Sequence, residues 1–322
     1  MRLKGNRFII IGRAGMDLYP DPPGTRTEEA TRFVACLGGS SANIAVAIKR
    51  LGGSADLVTC VSDDAIGRFA LNELDRYGIG RAHVRAVGGE SRNSLAIVES
   101  RIENHQSVIY RNGAADFEMT EADVEAVDYS RYDALITTGT VFAAEPSRAA
   151  AFRGFELARA AGLPLIFDID YRPYSWPSAQ VAAEVYSRAG ALCDVIVGND
   201  VEFGFMAGEY ARGLDKARDL VAQAAQLAVY KMGEKGAITI TPEGEITTGI
   251  YPTKALKPTG AGDSFMGGLV VGLSAGKPVR DAVLQGSANA AMVVARVGCA
   301  PAMPTTRELE DFLGRHVDPS AA

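Results

Sequence analysis

Short runs that are apolar at nearly every position alternate along this chain with longer stretches of helical period. The runs are Phe8–Ile11, Leu57–Val61, Ala134–Thr138, Leu163–Asp168, Val195–Val197, Leu227–Lys231 and Ala237–Thr241. Between them lie Ser41–Leu51, Ile66–Tyr77, Ser147–Ala161, Ala179–Ala189 and Leu214–Ala224. A strand without a polar face must be covered on both sides, and helices between such strands make the crossovers of a parallel sheet. The pattern therefore predicts an α/β fold. After residue 250 the strand pattern stops, and Gly262–Ala275, Val279–Val297 and Thr305–Leu313 predict a closing run of helices.

Two early stretches break the rhythm. Ser94–Ser100 and Ser107–Arg111 alternate about the polar turn Glu103-Asn104-His105, the pattern of an antiparallel hairpin. Leu18–Val34, with Pro22-Pro23-Gly24, reads as loop and short strand. Both suit a small β lid over the edge of the main sheet, with segments at approximately 13–35 and 91–115 of a single domain spanning 1–322. No repeat or long linker divides the chain.

Composition narrows the chemistry. The 322 residues are 47% hydrophobic and 22% charged, an ordinary globular balance. With 33 Lys+Arg against 39 Asp+Glu the net charge is −6, and no basic stripe offers a nucleic-acid surface. The apolar runs fall far short of the roughly 20 residues of a bilayer helix. Arg2, Lys4 and Arg7 precede Phe8–Ile11, but that run is too short for a signal-peptide core. Cys36, Cys60, Cys193 and Cys299 are scattered, as are His83, His105 and His316, which disfavours a zinc site or disulfide framework and fits a reducing cytoplasm. The chemistry is left to Asp, Glu, Asn, Arg, Lys and backbone amides, not to a thiol or histidine hydrolase.

Six segments could carry it. Gly260-Ala261-Gly262-Asp263 opens a small-residue helix, where backbone N–H groups can converge on an anion and the helix N-terminus adds partial positive charge. A carboxylate beside an anion hole is costly unless it has a task, and Asp263 reads either as a general base for phosphoryl transfer or as a simple first-turn charge. Gly38-Gly39-Ser40-Ser41-Ala42-Asn43 permits close backbone approach to a ligand, or is a capped glycine turn. Asp17, after the first strand, and Asp168 and Arg172, after a later one, stand where open α/β sheets bind ligands. Each also reads as a solvated loop residue or, for Asp168 and Arg172, as a surface ion pair. Asn199 and Glu202 begin a helix and could organise Mg²⁺ and water at a nucleotide phosphate, or Asn199 could simply cap it. Lys231-Met232-Gly233-Glu234-Lys235-Gly236 reads as strand, tight turn, strand, bordering a nucleotide or serving only as a hairpin. The dinucleotide fingerprint is missing, because Phe265 stands where its last glycine belongs.

Taken in order, these segments resemble the ribokinase (PfkB-type) family of carbohydrate kinases over about residues 8–314. The resemblance implies a three-layer α/β/α Rossmann-like domain with a β-sheet lid and MgATP-dependent phosphorylation of a sugar hydroxyl. It implies Asp263 as base, an anion hole at Gly260–Asp263, and Asp17, Gly38, Gly39 and Asn43 on the sugar. It implies Asn199 and Glu202 at Mg²⁺ through water, and Lys231, Gly233, Gly236 and Asn289 beside ATP. A monovalent cation such as K⁺ and a homodimer formed through the lid are also among its implications.

Three segments, those about Asp17 and Asp168 among them, resemble the acid-sugar branch of that family. They are Gly12-Arg13-Ala14-Gly15-Met16-Asp17-Leu18-Tyr19-Pro20, Tyr110–Asp116 and Asp168–Trp176. This implies transfer to the C6 hydroxyl of 5-dehydro-2-deoxygluconate in inositol catabolism, with Tyr110, Arg111 and Arg172 as a clamp on its carboxylate. Alternative acceptors are 2-keto-3-deoxygluconate, fructose or a nucleoside; an alternative of another class is a sugar-binding regulator without catalysis. A dehydrogenase is disfavoured by the spacing of Gly12 and Gly15.

Overall fold

The computed structural model describes residues 3–319. In chain order the strands are β1 (Arg7–Ile11), β2 (Gly15–Pro20), β3 (Phe33–Gly38), β4 (Ser54–Ser62), β5 (Gly80–Val87), β6 (Leu95–Val98), β7 (Ser107–Tyr110), β8 (Ala134–Thr138), β9 (Leu165–Asp168), β10 (Val195–Asn199), β11 (Leu227–Lys231), β12 (Ala237–Thr241) and β13 (Gly244–Thr248). The helices are α1 (Ser40–Arg50), α2 (Ala65–Tyr77), α3 (Glu121–Glu125), α4 (Ser147–Ala160), α5 (Ala179–Ala191), α6 (Asp200–Ala207), α7 (Gly213–Gln223), α8 (Ala261–Ser274), α9 (Val279–Val294) and α10 (Thr306–Arg315).

Nine strands form one sheet in the order β13-β12-β11-β10-β9-β8-β1-β4-β5. It is parallel from β11 to β5, and β12 and β13 add antiparallel. The continuous apolar runs are explained by what lies on each face. Ile9 and Ile11 of β1 point into a core with Phe155 of α4, Tyr186 of α5 and Leu220 of α7. Phe8 and Ile10 point the other way, onto Ile44 and Ile48 of α1 and Met266 and Leu269 of α8. Each such side chain, withdrawn wholly from water, contributes about 1.5–3 kcal/mol.

A second sheet, in the order β3-β2-β6-β7, stands beside the carboxyl ends of the main strands. Asp21 to Arg32 connects β2 to β3, and Glu99 to Gln106 connects β6 to β7. Leu18–Val34, expected as loop and short strand, holds the end of β2, the connection and the start of β3; Asp17 lies on β2, which rules out the solvated-loop alternative for it. Its pairing with β3 and β6 fixes Asp17 in register with Cys36 and Ala96.

Two strands went unforeseen. β5 contains Arg81, His83 and Arg85, and β13 is Gly-Glu-Ile-Thr-Thr. Both are edges of the sheet, where charged and polar residues keep another chain from pairing, so neither has the apolar run that marks the interior strands. Among the described residues no helix is long and apolar enough to cross a membrane.

Candidate active site

A cavity of about 860 Å³ lies at the carboxyl ends of the parallel strands, bounded by the inner face of the second sheet and by α8 and α9. It is the place where crossover connections leave room for a ligand. Asp263 sits on its wall.

The N-terminus of α8 forms one side. Gly260 adopts a left-handed φ of 85°, and a Cβ there would come within 2.8 Å of Cys299 Sγ, so the turn into the helix requires glycine. The first helical bond of this turn is Ser264 N–H to the Gly260 carbonyl. The N–H groups of Ala261, Gly262 and Asp263 therefore precede the helical ladder. Opposite them, Lys231 Nζ stands 3.7 Å from the point a Cβ on Gly262 would take. Helix terminus and ammonium together make a site for an anion.

Asp263 is half-buried, and loss of solvation in the cavity wall chiefly lifts its pKa to about 7, with Asp170 adding to the rise. A 2.9 Å hydrogen bond from Asn43 Nδ2 to its Oδ2, and the Arg172 charge, oppose that rise. The carboxyl is thereby poised to exchange a proton near neutral pH.

The side toward the second sheet gathers Asp17, Arg13, Gly39, Ser40, Asn43, Asp170, Arg172 and Tyr174 with the apolar Ala96, Val98 and Ile109. Asp17 is pushed up to about 6 by burial, against the pull of Arg13, the Tyr19 hydroxyl and Lys257. A side chain on Gly38 would overlap Asp17 Oδ1, and Gly39, at φ 96°, turns the chain into α1. Asp170 has a φ of 38°, the left-handed region, and forms a 2.7 Å ion pair with Arg172. Burial alone would raise Asp170, but Arg172, the Ser40 hydroxyl and Arg13 hold it below its ordinary value.

The side toward β10 and β11 contains Asn199, Glu202, Lys231, Gly233 and Gly236, and the cavity continues along Thr248–Tyr251 to Ala290 and Val294. Asn199 caps α6: its Oδ1 accepts from Glu202 N–H at 2.9 Å, while Glu202 Oε2 accepts from Asn199 N–H at 2.7 Å. Glu202 Oε1 also accepts from Tyr171 N–H at 3.2 Å. Asp168 is raised well above the ordinary carboxylate range by burial, and Glu202, Asp170 and Asp263 add to this while Lys231 opposes it. Glu202 too is raised, by burial first, with Lys231 again opposing. Asp168 thus shares its electrostatic surroundings with Lys231 and Glu202, between the two ends of the cavity.

Four of the residues expected at the site do not line the cavity. Tyr110 is in register with Leu95, and side chains alternate along β7, so it shares the outward face of the second sheet with Val108 while Ser107 and Ile109 face in. Arg111 is buried but committed: it pairs with Asp116, donates to the Thr140 carbonyl at 2.9 Å and lies over the Phe117 ring. Asn289 is fully buried between α9 and α8, donating to the Ser264 carbonyl at 3.3 Å. Gly38 is behind Asp17, where its lack of a side chain makes room for that carboxylate.

Conversely, Arg13, Asp170, Tyr174 and Lys257 line the cavity and were not singled out as site residues. Arg13 is 8% exposed, donates to Ser94 Oγ at 3.0 Å and keeps its buried Nε without a partner. The signal for it was available, since it follows β1 directly, where the carboxyl-end rule already pointed to Asp17.

The family profile "pfkB family carbohydrate kinase" matches residues 6–306. The chain is 36% identical to the 5-dehydro-2-deoxygluconokinase of Geobacillus kaustophilus over 320 residues, 98% of this chain and 96% of that one. It is also 36% identical to the enzyme of the same name from Photobacterium profundum, covering 95% and 94% of the two chains. Among solved structures, a fructokinase double mutant from Vibrio cholerae, bound to fructose, ADP and potassium ion, superposes with a TM-score of 0.85 at 26% identity, over 97% of this chain and 99% of its own. Aminoimidazole riboside kinase from Salmonella enterica, with aminoimidazole riboside and an ATP analogue, gives 0.81 at 26% identity, over 96% and 99%. The three-layer architecture, the placement of the cavity and the match over nearly its whole length together assign this chain to the pfkB family of carbohydrate kinases.

Proposed function

We propose that this protein is an ATP-dependent kinase that transfers the γ-phosphoryl group to the C6 hydroxyl of 5-dehydro-2-deoxygluconate. The observation that carries the reading is Asp263. It is a half-buried carboxyl poised near neutrality at a helix N-terminus, in one cavity with the Lys231 ammonium and with Asp17, Arg13 and Arg172. The identity of about 36% to kinases named for that acceptor supports the choice of sugar.

In this reading Asn43 and Asp17 hold the sugar hydroxyls and Asn43 also orients Asp263. Asp263 takes the hydroxyl proton as the bond from O6 to the γ-phosphorus forms and the bond from that phosphorus to the ADP oxygen breaks. The Gly260–Asp263 amides and Lys231 stabilise the charge on the transferring group, so most of the acceleration comes from positioning and electrostatics. Gly233 and Gly236 border the nucleotide.

Mg²⁺ is implied by the family, and the donor set fits it. Asp168 and Glu202 are buried carboxylates facing the same cavity as Lys231, and Mg²⁺ takes one or two carboxylates with waters and phosphate oxygens. When bound it would neutralise phosphate charge. With both Glu202 oxygens engaged by backbone N–H groups, its share is best made through water, as is that of Asn199.

The clamp on the sugar acid is reassigned to Arg13 and Arg172. Arg13 lines the cavity and donates to Ser94 Oγ, whereas Arg111 lies outside the lining with its guanidinium paired to Asp116; the Nε of each is buried without a partner. A planar guanidinium matches a carboxylate in geometry and charge.

The second sheet also supports a homodimer. Phe33, Val108 and Tyr110 are exposed apolar residues of β3 and β7, and Val108 and Tyr110 share the face turned away from the cavity, which a second copy would cover.

The deciding experiment is MgATP consumption against 5-dehydro-2-deoxygluconate, 2-keto-3-deoxygluconate, fructose, ribose and adenosine, with Asp263→Asn as the blank. Preferential turnover of the first acid, abolished in the variant, is expected. Preference for a neutral acceptor would keep the kinase and reject the acid sugar, and no turnover of any acceptor would leave a binding protein.

A further inference from the structure

Among the described residues, Lys257 is the lysine with no exposed surface at all. A buried ammonium is expensive to desolvate, and it is tolerated where oxygens surround it. Its acceptors here are two backbone carbonyls: Lys257 Nζ donates to Thr259 O at 2.5 Å and to Val293 O at 3.4 Å. Its own N–H and that of Leu256 donate to Val294 O, at 3.2 and 2.7 Å.

The two carbonyls belong to the two elements that meet beneath the anion site. Thr259 immediately precedes Gly260, the turn into α8, and Val293 lies in the last turn of α9, its carbonyl also accepting from Arg296 N–H at 3.1 Å. The ammonium therefore ties the approach to the Gly260–Gly262 turn to a negative helix end. Burial pushes the Lys257 pKa down, while Cys299, Asp263 and Asp17 favour its charged form.

A buried, carbonyl-lined place for one positive charge under an anion-binding turn is what a monovalent metal ion would require. In this chain that place is filled by a covalently attached ammonium. A potassium ion would have to share the same carbonyls and face a like charge within a few ångströms. The residues present do not fit the monovalent cation expected from the resemblance, although the V. cholerae relative is described with potassium.

We propose that Lys257 is the resident cation of the anion-hole turn, a positioning residue that makes nucleotide binding and turnover independent of potassium and other monovalent ions. The inference rests on the reading of Gly260–Gly262 as an anion hole, but not on which sugar is phosphorylated.

The test uses the full chain at constant Mg²⁺, in potassium chloride and in tetramethylammonium chloride of equal ionic strength. ADP affinity by titration calorimetry and turnover are both expected to agree within about twofold between the salts, well under the tenfold that marks 1.4 kcal/mol of coupling. In Lys257→Ala, turnover in tetramethylammonium is expected to fall by about tenfold or more with the sugar KM little changed, and ammonium or potassium ions are expected to restore part of it. A loss of packing alone would not be relieved by a small cation. Activation of the unaltered protein by potassium of about tenfold or more, in ADP affinity or turnover, overturns the proposal. So does a folded Lys257→Ala whose turnover is the same in every salt. If that variant does not fold, the calorimetric comparison on the unaltered protein still decides. Cation-independent ADP binding without turnover of any sugar would defeat the proposed kinase reaction and leave this inference standing.

Discussion

Asn43 and Asp263 lie 220 positions apart in sequence and meet through a 2.9 Å hydrogen bond from Nδ2 to Oδ2. The amide opens α1 after the Gly38-Gly39 turn, and the carboxyl opens α8 after Gly260. Two helix N-termini are thus brought face to face, and the bond holds the carboxyl in one orientation toward the cavity. Asn43 Oδ1 is buried without a partner, which leaves it available to a ligand hydroxyl.

The first prediction concerns pH and activity. With Asp263 at about 7 in the free protein, kcat/KM should fall about tenfold per pH unit below that value and level off above it. Asp263→Asn should abolish the limb and cost about 10² to 10⁴ in turnover. A profile flat between pH 5 and pH 8 would reject Asp263 as the base.

Stability should move the other way. The folded pKa of Asp263, about 7, is above its ordinary 3.8, so the folded state binds the proton more tightly than the unfolded chain does. Its contribution is most favourable below pH 4 and is lost as pH rises toward 7, because a poorly solvated carboxylate beside Asp170 must then carry charge. Asp263→Asn removes that cost. The variant should be more stable than the parent at pH 8, by on the order of 2 kcal/mol, and nearly equal to it at pH 4. Thermal melts at the two pH values, without ligands, check this.

Homodimerisation through the second sheet predicts a mass twice that of the chain in sedimentation. Val108 and Tyr110 are adjacent on its outward face, 42% and 59% exposed. Charges there should dissociate the pair, so Val108→Glu with Tyr110→Glu should sediment as a monomer that still binds ADP. A parent protein that sediments as a monomer would exclude the pairing.

The parallel sheet was legible because β1, β4, β8, β9, β10 and β11 are buried on both faces and contain unbroken apolar runs, whereas β5 and β13 at its edges do not. Asp263 and its glycines could be found because a carboxylate at an anion-binding turn is locally anomalous. Arg111 and Arg13 could not be told apart, since both are arginines near a strand end with acids close by. What separates them is that a 3₁₀ turn brings Asp116 back onto Arg111, while β2 and the β6 approach leave Arg13 facing the cavity with one bond to Ser94. Lys257 was hidden for the same kind of reason: nothing local marks a lysine whose partners are the carbonyls of Thr259 and Val293.

That distinction between two arginines makes the last prediction. If Arg13 and Arg172 hold the acceptor carboxylate, Arg13→Met and Arg172→Met should each raise the KM for a sugar acid by about ten- to a hundredfold, the worth of one charge-assisted contact. Their effect on a neutral acceptor such as fructose should be small. Arg111→Met should behave differently, because its partner is Asp116 inside the protein and both side chains are almost fully buried. Removing one member of a buried pair leaves the other uncompensated, at about 3–5 kcal/mol of stability. Its signature is a lowered melting temperature with the ratio of acid to neutral kcat/KM unchanged. An Arg111→Met protein that melts normally but loses the acid selectively would return the clamp to Arg111 and remove it from Arg13.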